Sequence, residues 1–225
     1  MQINEQCVAA QYELQIKAEQ PRDLLGAAFF MRTIASSQAA VILLEHGLLA
    51  QAKAVLRSSL ESLFALAAIE EKPELARPLA QSQEANKRSL ADKMLQWKGE
   101  ELKASRDGRI GEAELLELKS NKAAQEFSTW QLAEAAGMTD WYCSLYALLS
   151  LPAHATVSDI ASHLVTDKHG NITELTSEPE IEGQESTWAF TIEIQLRAAK
   201  AVVNMFGVNT IDVSAHENAL RALVA

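Results

Sequence analysis

The sequence predicts an all-α fold, a single helical bundle of about seven to nine helices with a short hairpin near residues 170–180. Three observations carry that reading. Apolar side chains recur at three- and four-residue spacing through most of the 225 residues. Only 9 Gly and 5 Pro are available for the turns that an all-β chain of this length would need. No linker-like stretch divides the chain, so residues 1–225 read as one domain.

Residues 22–46 carry apolar side chains all round (Leu24, Leu25, Phe29, Phe30, Ile34, Val41, Ile42, Leu44), the pattern of a central helix with neighbours on several sides; Gly47 ends it. A second helix over 48–69 places Leu49, Leu56, Leu60, Leu63 and Ala67 at helical spacing and closes at Glu70-Glu71-Lys72-Pro73. These two are expected to form an antiparallel pair. Pro73 is suited to start a third, amphipathic helix that runs to about residue 97. Ser105-Arg106-Asp107-Gly108-Arg109 has turn composition, and 112–125 reads as an amphipathic arm with Leu115, Leu116 and Leu118.

Ser128 and Gln131 have capping-box spacing, so a short helix is expected over 129–136, stopped by Gly137. Thr139 is the expected cap of the next helix, 140–150, which is rich in Trp141, Tyr142, Leu145, Tyr146, Leu148 and Leu149 and is interrupted by Pro152. Thr156 with Asp159 opens another short helix to about Val165, and His169-Gly170-Asn171 marks a turn. Trp188, Ile192, Leu196, Ala199, Val203 and Phe206 form one helical stripe ended by Gly207. Ser214 and Glu217 begin a last short helix.

A net charge of −10 excludes a surface that coats DNA by neutralising many phosphates. Cys7 and Cys143 stand far apart with no neighbouring thiol, the pattern of a reduced protein. Met1 to Gln6 show neither the basic nor the apolar part of a secretory leader, and the apolar run 24–31 is stopped by Arg32. A cytoplasmic protein without a membrane span is the resulting expectation.

Candidate chemistry sits on two helices. Arg57 and Glu61, four residues apart, share a stripe with Ala50, Ala54, Phe64 and Ala68 that is otherwise small or apolar. Burying such charges without partners costs several kcal/mol, so they are expected to pair with each other or to meet polar groups from another helix. Tyr142, Tyr146 and Ser150 recur every four residues along the later helix, and His154 follows Pro152. If they face one cavity, Arg57 grips an anion, His154 moves a proton, and Glu61 with Tyr146 orients both, with Tyr142 and Ser150 lining the ligand. His154, His163 and His169 match no compact metal motif, and no phosphate loop, nucleophile elbow or zinc-protease motif occurs, so neither metal nor cofactor is expected.

The segments Leu56-Arg57-Ser58-Ser59-Leu60-Glu61-Ser62 and Trp130-Gln131-Leu132-Ala133-Glu134-Ala135-Ala136-Gly137-Met138, together with Tyr142 through Ser150 to His154, resemble bacterial domain-of-unknown-function family 5677. The resemblance spans residues 30–205. It implies a helical domain in which Arg57, Glu61, Tyr146, Ser150 and His154 form a shared polar cluster, and it implies no activity. The helical HEPN ribonucleases are a contrasting pattern: their motif sets an Arg a short interval before a His, and here Asn209 stands in that place before His216, without the charge. Two functions fit these residues. One is a pocket for a small anionic ligand or for RNA; the other is a non-enzymatic interaction module, self-associating or partner-binding, in which the cluster is internal structure.

Overall fold

The computed structural model describes residues 2–120, 126–153, 163–176, 178–181 and 183–224. It is helical apart from one two-stranded hairpin, in agreement with the all-α expectation. In chain order the helices are α1 (Gln2–Ala10), α2 (Pro21–Glu45), α3 (Leu49–Glu71), a 3-10 turn (Pro73–Leu75), α4 (Ala76–Leu95), α5 (Glu100–Asp107), α6 (Glu112–Ser120) and α7 (Thr129–Ala135). They continue with α8 (Thr139–Trp141), a π-helical turn (Tyr142–Tyr146) and α9 (Ala147–Ala153), then β1 (Leu164–Thr166), β2 (Ile172–Leu175), α10 (Glu185–Phe206) and α11 (Val213–Val224). The chain divides into two compact units, Met1–Lys72 with Thr129–Ala225, and Pro73–Ser128.

The first unit is built on α2 and α3. Pro21 opens α2 at a position where no backbone donor is missed, and the short connection through Gly47 sends α3 back along it. Phe30, Ile34, Leu44, Leu56, Leu60, Leu63 and Leu66 are fully buried. Within this apolar contact Ser59 donates to the carbonyl of Thr33 at 2.9 Å and lies 3.0 Å from the Ser37 hydroxyl, so its buried polar atoms are satisfied across the two helices. By length and composition α2 is apolar enough to cross a membrane. Its stripe Ala27, Phe30, Ile34, Ala40 and Leu44 is buried, and the helix packs along α3 and α10, the use a core helix makes of such residues.

α10 crosses both. Arg197 reaches Glu70 and Glu71 at 3.5 Å each, and Asn204 donates to Glu70 at 2.6 Å, which fastens the end of α3. Gly207, at φ +67, closes α10 in the left-handed conformation that favours glycine. α1 was not foreseen: Ile3, Cys7 and Ala10 are buried, Asn4 accepts from Gln195, and Gln6 meets the backbone of Asp212 and the ring of His216.

Burial pushes the Cys7 thiol from 9.0 up to about 12. A raised value in the folded state favours the protonated thiol there, so the stability it confers below pH 9.0 is lost as pH climbs towards about 12. Over that interval the unfolding free energy should fall by about 1.4 kcal/mol per pH unit more steeply in the wild type than in Cys7→Ala. Urea denaturation across alkaline pH reads the difference; parallel slopes for the two proteins would show that Cys7 does not titrate this way.

In the second unit α4 and α6 pack together, with Ala91 and Leu115 buried and Lys119 bridged to Asp92 at 2.6 Å. The residues expected to form a turn at 105–109 are helical to Asp107. Arg106 keeps only 5% exposure, and its guanidinium is held by Asp107 at 2.6 Å and Glu112 at 3.6 Å, which supports one more helical turn before Gly108. α6 follows the expected arm to Ser120, and 121–125 lie outside the described residues.

Four further boundaries differ from expectation. Thr139 is the first residue of its helix, with Met138 as the cap position. Pro152 lies inside the final turn of α9, where it removes a single donor close to the helix end and the helix runs on to Ala153. Leu164 and Val165, expected in a helix, are in β1, which pairs antiparallel with β2 around a turn where Asp167 accepts from the backbones of His169 and Asn171; 154–162 lie outside the described residues. The cap of α11 is Asp212, whose carboxylate accepts from the Ala215 amide at 3.0 Å, two residues ahead of the expected Ser214 pairing.

Candidate functional site

α3 presents Arg57, Glu61 and Phe64 at four- and three-residue steps on one face, and α7 and α9 pack against that helix. The π-helical turn at Tyr142–Tyr146 brings two tyrosines to the same place. Such turns are rare and concentrate where a helix is locally adapted to a function. Tyr142 and Tyr146 stack with ring centres 4.9 Å apart and 18° between planes, and the buried ring of Phe64 backs both at 6.4 and 6.2 Å.

The polar group is a closed triangle. Arg57 Nη2 donates to the Tyr146 hydroxyl at 2.8 Å, that hydroxyl donates to Glu61 Oε1 at 2.8 Å, and the guanidinium lies 3.3 Å from the same carboxylate oxygen. The guanidinium carbon also sits 5.1 Å from the centre of the Tyr146 ring, within cation–π range. Thr129, at the start of α7, acts on the phenol as well, lowering its pKa slightly against the effect of burial. Tyr146 therefore uses its proton and its acceptor capacity inside the protein, and its role is to position the other two.

The electrostatics agree with that assignment. The hydrogen bond to Tyr146 holds the Arg57 guanidinium above its usual range, against the opposing effect of partial burial. Burial pushes the Tyr146 phenol up; the Arg57 bond pulls it back, and the Glu61 carboxylate raises it again. The phenol stays protonated at neutral pH and the guanidinium stays charged.

Arg57 and Glu61 pair with each other and with Tyr146 from another helix, as expected, but the pair is part-exposed: the two side chains keep 26% and 39% of their exposure. The structure brings together Arg57, Glu61 and Tyr146, and adds Tyr142 through its ring. Ser150 does not face the guanidinium: its hydroxyl donates to the Tyr146 carbonyl at 2.6 Å, one turn back along its own helix. His154 lies outside the described residues.

Phe64, Thr129 and Trp130 were missed as members of the site. Trp130 meets Tyr142 edge-on at 5.2 Å and is 39% exposed. In the sequence it stands beside the expected Ser128 cap and opens the segment that resembles the family, with nothing to mark it as part of the polar cluster. At the site one atom stands out: the Nε of Arg57 is buried and has no hydrogen-bond partner among the described residues. Among the described residues no three His, Cys, Asp or Glu are grouped as metal ligands.

The model of the family of unknown function DUF5677 matches residues 23–172, well over half of the chain. The chain belongs to this family. Arg57, Glu61, Trp130, Tyr142 and Tyr146 all fall inside the matched span, and α10 and α11 fall beyond it. No curated protein and no solved structure matches the chain. DUF5677 membership carries no activity with it, so chemistry has to be argued from the triangle itself.

Proposed function

We propose that this DUF5677 member is a cytoplasmic protein that binds a small anionic group, phosphate or carboxylate, at Arg57. The observation that carries the reading is the Arg57 Nε–H, a buried donor left without an acceptor among the described residues, on a guanidinium that is otherwise held in place by Tyr146 and Glu61. A buried donor of this kind loses free energy unless something accepts from it, and an oxyanion is the acceptor that a guanidinium fits in two-pronged geometry. Glu61, whose side chain is 39% exposed, is proposed to accept a proton from the ligand. His154, which follows α9 in the sequence, is proposed to move a proton there.

A second reading is supported by the closure of the triangle: Arg57, Tyr146 and Glu61 satisfy one another, as a purely structural link between α3 and the π-helical turn would. Calorimetric titration with inorganic phosphate and with acetate separates the two. Wild-type protein should give saturable heat with at least one, Arg57→Ala should give none, and Arg57→Lys should bind about tenfold more weakly because a point charge lacks the fork. Because the pair is part-exposed, the unfolding free energy should change by no more than about 1 kcal/mol in either variant. No heat from the wild type, with a loss of about 2–5 kcal/mol in Arg57→Ala, would establish the structural reading instead.

A further inference from the structure

We infer that the anion held at Arg57 is the phosphate of a nucleotide whose base stacks on the ring of Trp130, an inference that rests on the anion-binding reading above. The rings form a continuous row. Trp130 meets Tyr142 at 5.2 Å, Tyr142 stacks on Tyr146 at 4.9 Å, and the Arg57 guanidinium lies over Tyr146 at 5.1 Å. The inner end of the row is core: Phe64 is buried and Tyr146 is 9% exposed. The outer end is not. Trp130 keeps 39% exposure and Tyr142 is half-buried.

A nucleotide has the same two ends. Its base offers a π face that stacks on any aromatic ring whatever the base, and its phosphate offers the paired oxygens that a guanidinium takes. The charge balance limits the size of the ligand. One guanidinium on a chain of net charge −10 suits one phosphate and does not suit a long polyanionic strand. The class is therefore a single nucleotide, free or at the end of a short RNA.

The test compares AMP, ribose 5-phosphate and inorganic phosphate by calorimetry on the full chain. AMP should bind about tenfold or more tightly than ribose 5-phosphate, since that gap measures the stacked base. Trp130→Ala should remove the gap and leave ribose 5-phosphate binding in place, Trp130→Phe should keep most of it, and Arg57→Ala should remove binding of all three. Thermal melts on each variant separate lost stacking from lost fold, and the wild-type gap between AMP and ribose 5-phosphate needs no variant. Tighter binding of a 5′-phosphorylated short RNA than of AMP assigns the nucleotide to a strand end; equal or weaker binding assigns it to the free form. Equal affinities for AMP and ribose 5-phosphate in the wild type overturn the stacked base while leaving the anion site standing. Absence of binding by all three probes overturns both.

Discussion

Replacing Phe64 by alanine should lower the unfolding free energy by about 3–5 kcal/mol, the loss usual for a fully enclosed aromatic ring. Phe64 has no exposed surface, and its ring is the backing for both Tyr142 and Tyr146. Alanine leaves a void that α3 cannot close, because Leu60, Leu63 and Ala67 on either side are themselves fully buried. The consequence extends to the site. With its backing gone, the stacked tyrosine pair loses the position that holds the guanidinium, so Phe64→Ala should also weaken phosphate binding. Phe64→Leu, which keeps most of the volume, should lose less than about 2 kcal/mol and retain binding. Urea denaturation with an unchanged slope gives the stability; a loss below about 1 kcal/mol for alanine would mean that this ring is not the support described.

The second large effect is expected at Gly47. Its φ of +69 lies in the left-handed region, and a Cβ there would stand 2.4 Å from the Pro179 Cβ and 2.8 Å from the Pro179 Cα. Backbone cannot move aside as a side-chain tip can. Glu180 donates its amide to the Gly47 carbonyl at 2.9 Å, so residues 178–181 are seated directly on the turn between α2 and α3. Gly47→Val combines a left-handed β-branched residue with that clash and should cost about 2–4 kcal/mol. Gly47→Ala should sit between the two proteins. A thermal melt of the valine variant indistinguishable from the wild type would show that the segment at 178–181 does not rest there.

The long helices were legible because stripe and stop signals coincide in them. α2, α3 and α10 each carry large aliphatic residues at helical spacing and end at Gly47, Pro73 or Gly207. α1 was invisible for the opposite reason: Ile3 is the sole large aliphatic on its buried face, and Cys7 and Ala10 complete the stripe without announcing it. α5 was concealed by turn-like composition, since nothing local shows that Arg106 will turn inward to Asp107 and Glu112.

At the site, spacing found Arg57 with Glu61 and found the tyrosines, because charge on an apolar line is a visible anomaly. It could not distinguish a side chain aimed across the helix pair from one bonded back to its own helix, as the Ser150 hydroxyl is. The extent of burial was also out of reach. Whether α7 covers Arg57 completely or leaves 26% of it open depends on how three helices meet, and no single helix encodes that.

Everything functional here turns on whether the Arg57 Nε–H is an unspent donor aimed at a ligand. Selective nitrogen-15 labelling of arginine and a titration with inorganic phosphate observe that one proton directly. The expected result is a resolved Arg57 Nε–H signal, absent from Arg57→Lys, that shifts and saturates as phosphate is added and slows its exchange with water. A signal already protected from exchange and unmoved by saturating phosphate would mean that the donor is satisfied within the protein, and the site would then be structure alone.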